Sequence, residues 1–220
     1  MFIGHFSLAL TTKRIRPDMP LPMLFMAAQL ADLIWPTLLL LGVERAEVSH
    51  TGIPLLFTFY PYSHSLACLM LWGLILGAAW TWWSKSRSQG VVLFLVVVSH
   101  WFLDLLVHIP DLPLAPGMDI HAGLGLWRNR HVSLTLELLT LAAAVLIAKP
   151  YIASLSKARR ISLYVLLALL VLIQLADTFS PPPTNIMAVA WSAQLIWVLV
   201  VWAAIIDRKS AARNAAAVNP

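Results

Sequence analysis

Six stretches of about 20 mainly apolar residues dominate the sequence and limit what it can fold into. The hydrocarbon core of a bilayer is about 30 Å thick, and a helix needs about 20 residues to cross it. Each stretch is bounded by charged residues, proline or glycine, which are typical of helix ends. The stretches cover Leu21–Leu41, Ser63–Trp83, Gly90–Ile109, His131–Ala148, Ile161–Phe179 and Ile186–Ile206.

The composition agrees with a membrane protein, because 60% of the residues are hydrophobic and only 11% are charged. Soluble domains are about one quarter charged, and a disordered chain is far less apolar. We therefore predict an all-α polytopic bundle of about six transmembrane helices, forming a single integral membrane domain over residues 1–220. The net charge of +5 is interpreted as cationic loops, and no nucleic-acid partner is expected.

Lysine and arginine are distributed unevenly between the connections of these spans. If the chain crosses the membrane six times, alternate connections lie on opposite sides. Twelve of the fifteen lysines and arginines then lie on the same side as both termini. The positive-inside rule predicts that this side, with both termini, is cytoplasmic. The twelve are Lys13, Arg14, Arg16, Lys85, Arg87, Lys149, Lys157, Arg159, Arg160, Arg208, Lys209 and Arg213, and the outer three are Arg45, Arg128 and Arg130.

Histidines and carboxylates inside a bilayer are costly, so they are candidates for function. Almost all of them lie in residues 1–148, whereas the last two spans carry only Asp177, close to an end. Residues 1–148 are therefore predicted to hold a metal site, and residues 149–220 to form two supporting helices. The single Cys68 excludes a cysteine-based zinc site. The candidate metal ligands are His5, Asp32, His64, His100, Asp104, His108 and Glu137.

The third span contains the most informative pattern. His100, Asp104 and His108 are spaced at i, i+4 and i+8, which places them on one face of a helix. A stripe of imidazole, carboxylate and imidazole offers the nitrogen and oxygen ligands that zinc binds. The alternative is a polar stripe that lines a seam between helices and is hydrogen-bonded to its neighbours.

The predicted depths of these residues in the membrane agree with a shared site. At about 1.5 Å of rise per residue, His100 and Asp32 lie about 15–16 Å from the inner face. Asp104 and Glu137 lie about 21 Å from that face. Agreement between separate helices is harder to attribute to chance than spacing within one helix.

The segment Met1–Leu10 is apolar but too short to cross a bilayer, and no basic residue precedes it as in a signal peptide. Lys13 and Arg14 belong at the inner interface. We predict a short re-entrant helix that rises from this interface and carries His5 inward, buried among the spans. The alternative places the segment flat on the inner surface, with His5 in solvent. The loop histidines His121 and His131 are expected to be solvated, and so is His50.

The chain order of the candidates is His5, Asp32, His64, His100, Asp104, a further histidine and a late glutamate. This order resembles the metal ligands of the zinc-dependent phospholipase C and single-strand nuclease superfamily. The runs Gly4-His5, Tyr62-Ser63-His64-Ser65 and Ser99-His100-Trp101-Phe102-Leu103-Asp104 resemble the membrane-bound metal-dependent hydrolase family. That family is also described as LexA-binding, inner-membrane-associated hydrolases. The resemblance covers residues 1–148.

The resemblance implies a helical bundle in the bacterial inner membrane that holds two or three zinc ions and hydrolyses phosphate esters. Asp32, His64, His100 and Asp104 would hold one ion, and His5 would join Asp104 at a second. The substrate would be a lipid or another phosphate ester. Because the candidate ligands lie from the midplane outward, we expect it to approach from the outer leaflet. Asp32 or Glu137 would be the general base, and zinc would activate water and bind the phosphoryl oxygens.

Two spacings differ from those of the soluble superfamily. His108 follows Asp104 by four residues, where the superfamily has six. The position four residues before Glu137 is Ser133, and the nearest histidine, His131, is six residues before it. These differences affect the ligands of a third ion more than those of the first two.

Three other classes of protein fit parts of the pattern. A transporter of divalent metal ions or protons also has buried histidines and carboxylates, but the inner ends of spans two to four are apolar. A di-haem cytochrome has axial histidines on transmembrane helices, although buried carboxylates beside them are unexpected. A binding or scaffold protein without chemistry is the third alternative.

Overall fold

The computed structural model describes residues 1–49 and 55–208. His50, Lys209 and Arg213 lie outside these ranges. The described chain is mainly helical, with two small antiparallel sheets and a 3₁₀ turn over Leu126–Arg128. The helices are α1 (Ile3–Ile15), α2 (Leu21–Ala28), α3 (Leu30–Leu40), α4 (Pro61–His64), α5 (Leu66–Ser84), α6 (Arg87–Val107), α7 (Arg130–Ile147), α8 (Lys149–Ser154), α9 (Lys157–Phe179), α10 (Ile186–Ala193) and α11 (Ile196–Asp207). The strands are β1 (Arg45–Val48), β2 (Leu55–Phe59), β3 (Leu112–Pro113) and β4 (His121–Ala122), paired β1 with β2 and β3 with β4.

Five helical segments of the described chain are long and apolar enough to cross a membrane: α5, α6, α7, α9 and the stretch Ile186–Asp207. The pair α2 and α3 makes a sixth if the two are counted as one bent span. The described chain is therefore mostly helical, as predicted, although the two small sheets were not expected. The long apolar helices are compatible with an integral membrane protein.

The predicted span Leu21–Leu41 is divided into two helices, because α2 and α3 meet at an angle of 55°. The break is at Gln29, whose φ of −101° and ψ of 10° depart from helical values. The carbonyl of Ala28 lies in the last turn of α2, where helices leave carbonyl groups unpaired. It accepts a hydrogen bond from His100 Nδ1 at 2.8 Å, so the break supplies an acceptor to the candidate site.

Two further predicted spans begin or end at other residues. Ser63 and His64 belong to the short helix α4, because Ser65 caps a new helix by accepting a hydrogen bond from the Cys68 amide at 3.2 Å. Helix α6 begins three residues earlier than predicted, at Arg87, and ends at Val107. His108 therefore lies just beyond the helix, with a ψ of 143°. Its place as the third member of a continuous helical stripe is corrected accordingly.

Helix α1 is largely buried among the other helices. Its side chains Ile3, Phe6, Ala9 and Leu10 are at most 1% exposed. It packs against α2 and α7, and also contacts α6 and α9. His5 is 1% exposed, so it lies inside the protein and not in solvent.

Helices α5 and α6 form a tight antiparallel hairpin. The turn between them contains Lys85 with a φ of 57°, and the Ser86 side chain caps α6 by accepting from the Gln89 amide. A Cβ atom at Gly77 would lie 2.6 Å from the carbonyl oxygen of Gly90. Because real Cβ atoms do not approach so closely, only glycine at this position allows the two backbones their present separation.

Two of the connections rich in lysine and arginine meet at one end of the bundle. Arg16 donates to the Ser88 hydroxyl at 2.9 Å, and the side-chain amide of Gln89 donates to Asp18 at 2.9 Å. The connection between α1 and α2 therefore touches the turn between α5 and α6. The Arg16 guanidinium beside Asp18 lowers the pKa of that carboxyl to about 2.

A largely buried ion pair between Lys13 and Asp207 lies at the same end of the bundle. Lys13 Nζ lies 3.0 Å from Asp207 Oδ2 and donates to the Met19 carbonyl at 2.6 Å. Asp207 also accepts from the Leu21 amide at 2.7 Å and from the Tyr151 hydroxyl at 3.1 Å. Burial and the Asp207 carboxylate raise the pKa of Tyr151, so its hydroxyl stays protonated. The end of α11 is thus tied to α1, α2 and α8.

Candidate metal centre

Five of the predicted ligands come together in one cluster. They form two overlapping groups whose ligand atoms lie within 4.8 Å of one another, His5–Asp32–His100 and His64–His100–Asp104. The three histidines and Asp104 are at most 3% exposed, whereas the side chain of Asp32 is 26% exposed. Helices α1, α3, α4 and α6 therefore each contribute at least one side chain to the cluster.

Two carboxylates are the centre of this cluster. His5 Nε2 lies 3.1 Å from Asp104 Oδ1, and His100 Nε2 lies 3.2 Å from Asp104 Oδ2. His64 Nε2 lies 3.4 Å from Asp32 Oδ1, and His100 Nε2 lies 3.9 Å from the same oxygen. The rings of His5 and His100 are stacked with centroids 3.7 Å apart. His100 therefore adjoins both carboxylates.

The hydrogen bonds of His100 determine which of its nitrogens faces the cluster. Its Nδ1 lies 2.8 Å from the carbonyl oxygen of Ala28. Because a carbonyl oxygen only accepts hydrogen bonds, Nδ1 must carry the proton. In a neutral imidazole, Nε2 then presents a lone pair to Asp32 and Asp104.

His64 is oriented by a residue that the sequence analysis missed, Glu44. The Ser63 hydroxyl donates to Glu44 Oε2 at 2.6 Å, and the same Ser63 oxygen lies 2.7 Å from His64 Nδ1. Since the serine proton points at the carboxylate, the serine oxygen accepts from His64 Nδ1–H. Glu44 Oε1 also accepts from the Tyr62 and Ser63 amides, each at 2.8 Å. His64 Nε2 is thereby left free to face Asp32.

His108 adjoins the cluster from just beyond α6. Its Nδ1 lies 3.0 Å from Asp111 Oδ1, and its Nε2 lies 3.6 Å from Asp104 Oδ2. The hydroxyl of Tyr60 lies 3.3 Å from His108 Nδ1. Burial, with the carboxylates of Asp111 and Asp104, raises the pKa of Tyr60, so this phenol is neutral. His108 thus resembles His64 and His100 in having an oxygen partner at Nδ1.

The donor set fits a cation. His64, His100 and His108 each direct Nε2 towards a carboxylate oxygen, and a cation bound between such groups would be stabilised by both. Within the described chain, His100 Nε2 and His5 Nδ1 are buried without a hydrogen-bond partner. Imidazole nitrogen and carboxylate oxygen are ligands that zinc prefers, and oxygen acceptors behind the imidazoles are typical of metal-binding histidines.

Glu137 is placed differently from the other candidates. Its Oε1 accepts from the Phe2 amide at 2.9 Å, and its Oε2 accepts from the Gly4 amide at 2.8 Å. Both oxygens therefore hold the first residues of the chain, next to His5. The amino group of Met1 in turn contacts Asp104 Oδ1.

A cavity of about 820 Å³ gives access to the cluster. Aromatic side chains form part of its wall, among them Trp35, Phe57 and Trp127. This combination of ionisable groups and aromatic walls suits an amphiphilic ligand. The charged or ionisable groups that line it include Asp32, His64, Asp104, His108, Glu137 and Arg130.

The loop histidines lie away from the cluster. His121 and His131 are both exposed, as expected of solvated side chains. His121 Nδ1 lies 3.6 Å from the exposed carboxylate of Asp119. Cys68 is half-buried and free.

Comparison with known protein families, with curated proteins and with solved structures finds no match for this chain.

Proposed function

We propose that this protein is a membrane-embedded, metal-dependent hydrolase that cleaves a phosphate ester. The single observation that carries the proposal is the convergence of imidazole lone pairs on Asp32 and Asp104, at the inner end of a cavity with aromatic walls. Burying groups of this kind from four helices at one point costs free energy, and bound cations would offset that cost. The resemblance of the same residues to zinc-dependent phosphoesterases agrees with this function.

The metal ligands in this proposal are His5, His64, His100 and Asp104, with Asp32 adjoining them. We propose zinc, as two ions, with Asp104 central because one of its oxygens faces His5 and the other faces His100. When bound, such ions supply positive charge that polarises a phosphoryl group and promotes attack by water. His108 is close enough to Asp104 to be an additional ligand.

Asp32 is the proposed proton acceptor for the attacking water. Its side chain is 26% exposed, whereas that of Asp104 is 3% exposed, and it lines the cavity from which substrate would approach. His64 Nε2, 3.4 Å from Asp32 Oδ1, holds this carboxylate in place. Arg130 on the cavity wall carries a guanidinium that matches phosphate geometry, so it would help to bind the anionic substrate.

The helices behind the cluster favour an enzyme over a transporter. A transport pathway needs polar groups that continue past the site. The buried side chains of α2 are all apolar, namely Leu21, Leu24, Phe25, Ala27 and Ala28. The buried positions of α6 before His100 are Gly90, Leu93, Val96 and Val97. These two helices therefore offer no polar path from the cluster to the lysine-rich and arginine-rich end.

We place the protein in the bacterial inner membrane, with the lysine-rich and arginine-rich end in the cytoplasm. The clustering of these basic connections at one end of the bundle and the positive-inside rule support this orientation. The cavity would then be reached from the outer leaflet. A membrane lipid or lipid-linked phosphate ester is the substrate that such a position favours.

Metal content is the first test. We expect the purified protein in mild detergent to retain at least one zinc ion per chain, measured by elemental mass spectrometry. Asp104→Asn and His100→Ala should each lower the zinc content at least fivefold. His131→Ala, which removes an exposed histidine, is the matched control and should bind zinc as the wild type does. Less than one tightly bound metal ion in the wild type would overturn the proposal.

Hydrolysis is the second test of the same function. The zinc-loaded protein should release phosphate or a phosphorylated headgroup from phospholipids in mixed micelles. This release should disappear in Asp104→Asn and fall at least 100-fold in Asp32→Asn, because the latter removes the proton acceptor. Retention of zinc in Asp32→Asn would separate its catalytic role from metal binding.

A further inference from the structure

Helix α9 contributes a polar strip to the wall of the cavity. Gln174, Asp177 and Thr178 all line it, together with the cluster residues Asp32 and Asp104. The rest of α9 is mainly leucine, isoleucine, valine and alanine over this region. None of these three residues belongs to the groups of candidate metal ligands, so the metal site does not explain the strip.

Gln174 presents an unpaired acceptor in this wall. The residue is 7% exposed. Its side-chain Nε2 donates to the Thr178 hydroxyl at 3.5 Å, and that hydroxyl donates to the Gln174 carbonyl at 2.7 Å. With the amide nitrogen held by Thr178, the Oε1 atom is buried and has no partner among residues 1–49 and 55–208.

Asp177 adds a second acceptor one helical turn further along. Asp177 is exposed on the cavity wall, and its carboxylate has no hydrogen bond or ion pair in the described parts of the chain. Residues three apart on a helix share a face, so Asp177 and Gln174 are adjacent on the cavity wall. A carboxylate and an amide oxygen both accept hydrogen bonds and donate none.

The chemistry of this pair determines which ligand it could bind. A buried acceptor without a partner costs free energy, and a ligand that brings N–H or O–H donors removes that cost. Such a site strongly rejects an analogue that lacks the donors.

We propose that Gln174 and Asp177 form a headgroup subsite, which binds hydroxyl or ammonium groups on the alcohol portion of the phosphate ester. The proposal rests on the proposed function for the identity of the ester, but not for binding. The phosphate would lie between the metal centre and Arg130, and the headgroup would extend to α9. The substrate class is therefore a phosphate ester of a polyol or an amino alcohol.

Binding can be measured without turnover by native mass spectrometry of the detergent-solubilised protein. Phosphatidylglycerol and phosphatidylmethanol carry the same charge but differ in headgroup hydroxyls, so they are the probes. We expect the wild type to prefer phosphatidylglycerol by about tenfold. Equal binding of the two lipids by the wild type would overturn the subsite.

Two variants test whether Gln174 and Asp177 cause the preference for phosphatidylglycerol. Gln174→Leu and Asp177→Leu should each reduce it to about twofold or less, with zinc content unchanged, because each removes one acceptor. Gln194→Leu is the matched control, since Gln194 donates to Thr37 at 2.9 Å outside the cavity lining. A preference that survives in both α9 variants would overturn the proposal, even if one of them folds poorly.

Competition by soluble phosphate esters shows whether the subsite binds only lipid headgroups or also free phosphate esters. Glycerol phosphate should compete with phosphatidylglycerol better than methyl phosphate does if the hydroxyls alone are recognised. If neither competes, the acyl chains are also required, and the subsite binds lipid headgroups only.

The proposed function and the subsite can fail separately. Loss of zinc and of hydrolysis, with the tenfold headgroup preference intact, would overturn the hydrolase and keep the subsite. Zinc-dependent hydrolysis of phosphatidylglycerol and phosphatidylmethanol at equal kcat/KM, in the wild type and in both α9 variants, would keep the hydrolase and overturn the subsite.

Discussion

The orientation of each imidazole is the property that most clearly separates this cluster from an ordinary polar seam. His64, His100 and His108 all have Nδ1 on an oxygen atom and Nε2 towards a carboxylate. The three oxygens come from different groups: a serine hydroxyl, a backbone carbonyl and a carboxylate. The same outcome from unrelated partners indicates that the direction of Nε2 matters, as it does where histidine binds a metal.

The partner of His64 allows a direct test. In Glu44→Gln the side-chain oxygen can still accept from the two backbone amides, but the Ser63 proton is no longer held by a carboxylate. We expect zinc affinity to fall about tenfold to 100-fold, as for other groups that orient a metal-binding histidine. Competition with a chromogenic chelator measures this change, and Ser63→Ala should produce a similar one.

Glu47→Gln is the matched control for this experiment. Glu47 lies three residues from Glu44 but is exposed on β1, so its substitution should leave zinc affinity unchanged. If Glu44→Gln bound zinc as tightly as Glu47→Gln, the orienting role of Glu44 would be refuted.

At the scale of elements, the hairpin of α5 and α6 fixes where His100 and Asp104 can lie. The close contact of Gly77 with Gly90 holds α6 against α5 on one side, while α2 packs on the other. A side chain at Gly77 would force the helices apart and move both ligands relative to His5 and His64.

We expect Gly77→Leu to destabilise the protein by about 2–3 kcal/mol, because overpacked interiors must shift their backbones. The measured result should be a lower thermal midpoint in detergent and at least a fivefold loss of zinc. Ala78→Leu adds the same side chain at the next position, which is exposed, and should change neither quantity. Equal behaviour of the two variants would show that the helix separation is unimportant.

The elements also show what hydropathy can and cannot predict. The apolar stretches predicted α7 to within one residue at each end and indicated the other long helices, because length and hydrophobicity are local properties. They missed the 55° bend at Gln29, where the Ala28 carbonyl pairs with His100, 72 residues away and outside any local window of hydropathy. Ser65 at the start of α5 was a local signal for separating α4, but the apolar window concealed it.

The residues of the candidate site, like the helices, could be predicted only in part from the sequence. Ionisable residues in apolar helices indicated His5, Asp32, His64, His100 and Asp104, because burial of such groups is unusual enough to be visible in sequence. Glu44 lies in a polar connection, where a glutamate is ordinary, and only the fold shows that it is 1% exposed. Gln174 was missed because it is uncharged, so a search for ionisable residues passes over it.

For the whole molecule, the Lys13–Asp207 pair joins the two ends of the described chain. Lys13 belongs to the helix that carries His5, and Asp207 is the last residue of α11. The final helix therefore holds α1 in place from the end opposite to the cluster. We propose that through this contact the C-terminal helices help to position the candidate metal centre.

We expect Asp207→Asn to lower stability by about 2–3 kcal/mol, because it leaves the charge of a largely buried lysine without its partner. In a chain of this size the thermal midpoint should fall by about 5 °C or more. Zinc should also dissociate faster, as α1 becomes less firmly held. Asp119→Asn, at a fully exposed side chain, is the control and should leave the midpoint and the dissociation rate unchanged.

His100 belongs to both groups of candidate ligands, yet its Nδ1 is committed to Ala28. A carboxylate has two oxygens and can bridge a pair of ions, but one imidazole nitrogen can coordinate only one. Once one ion is bound to His100 Nε2, the other group retains only carboxylate oxygens and a single histidine. The two positions would consequently fill in sequence and with unequal strength, so that one ion is resident and the other exchanges readily with its surroundings.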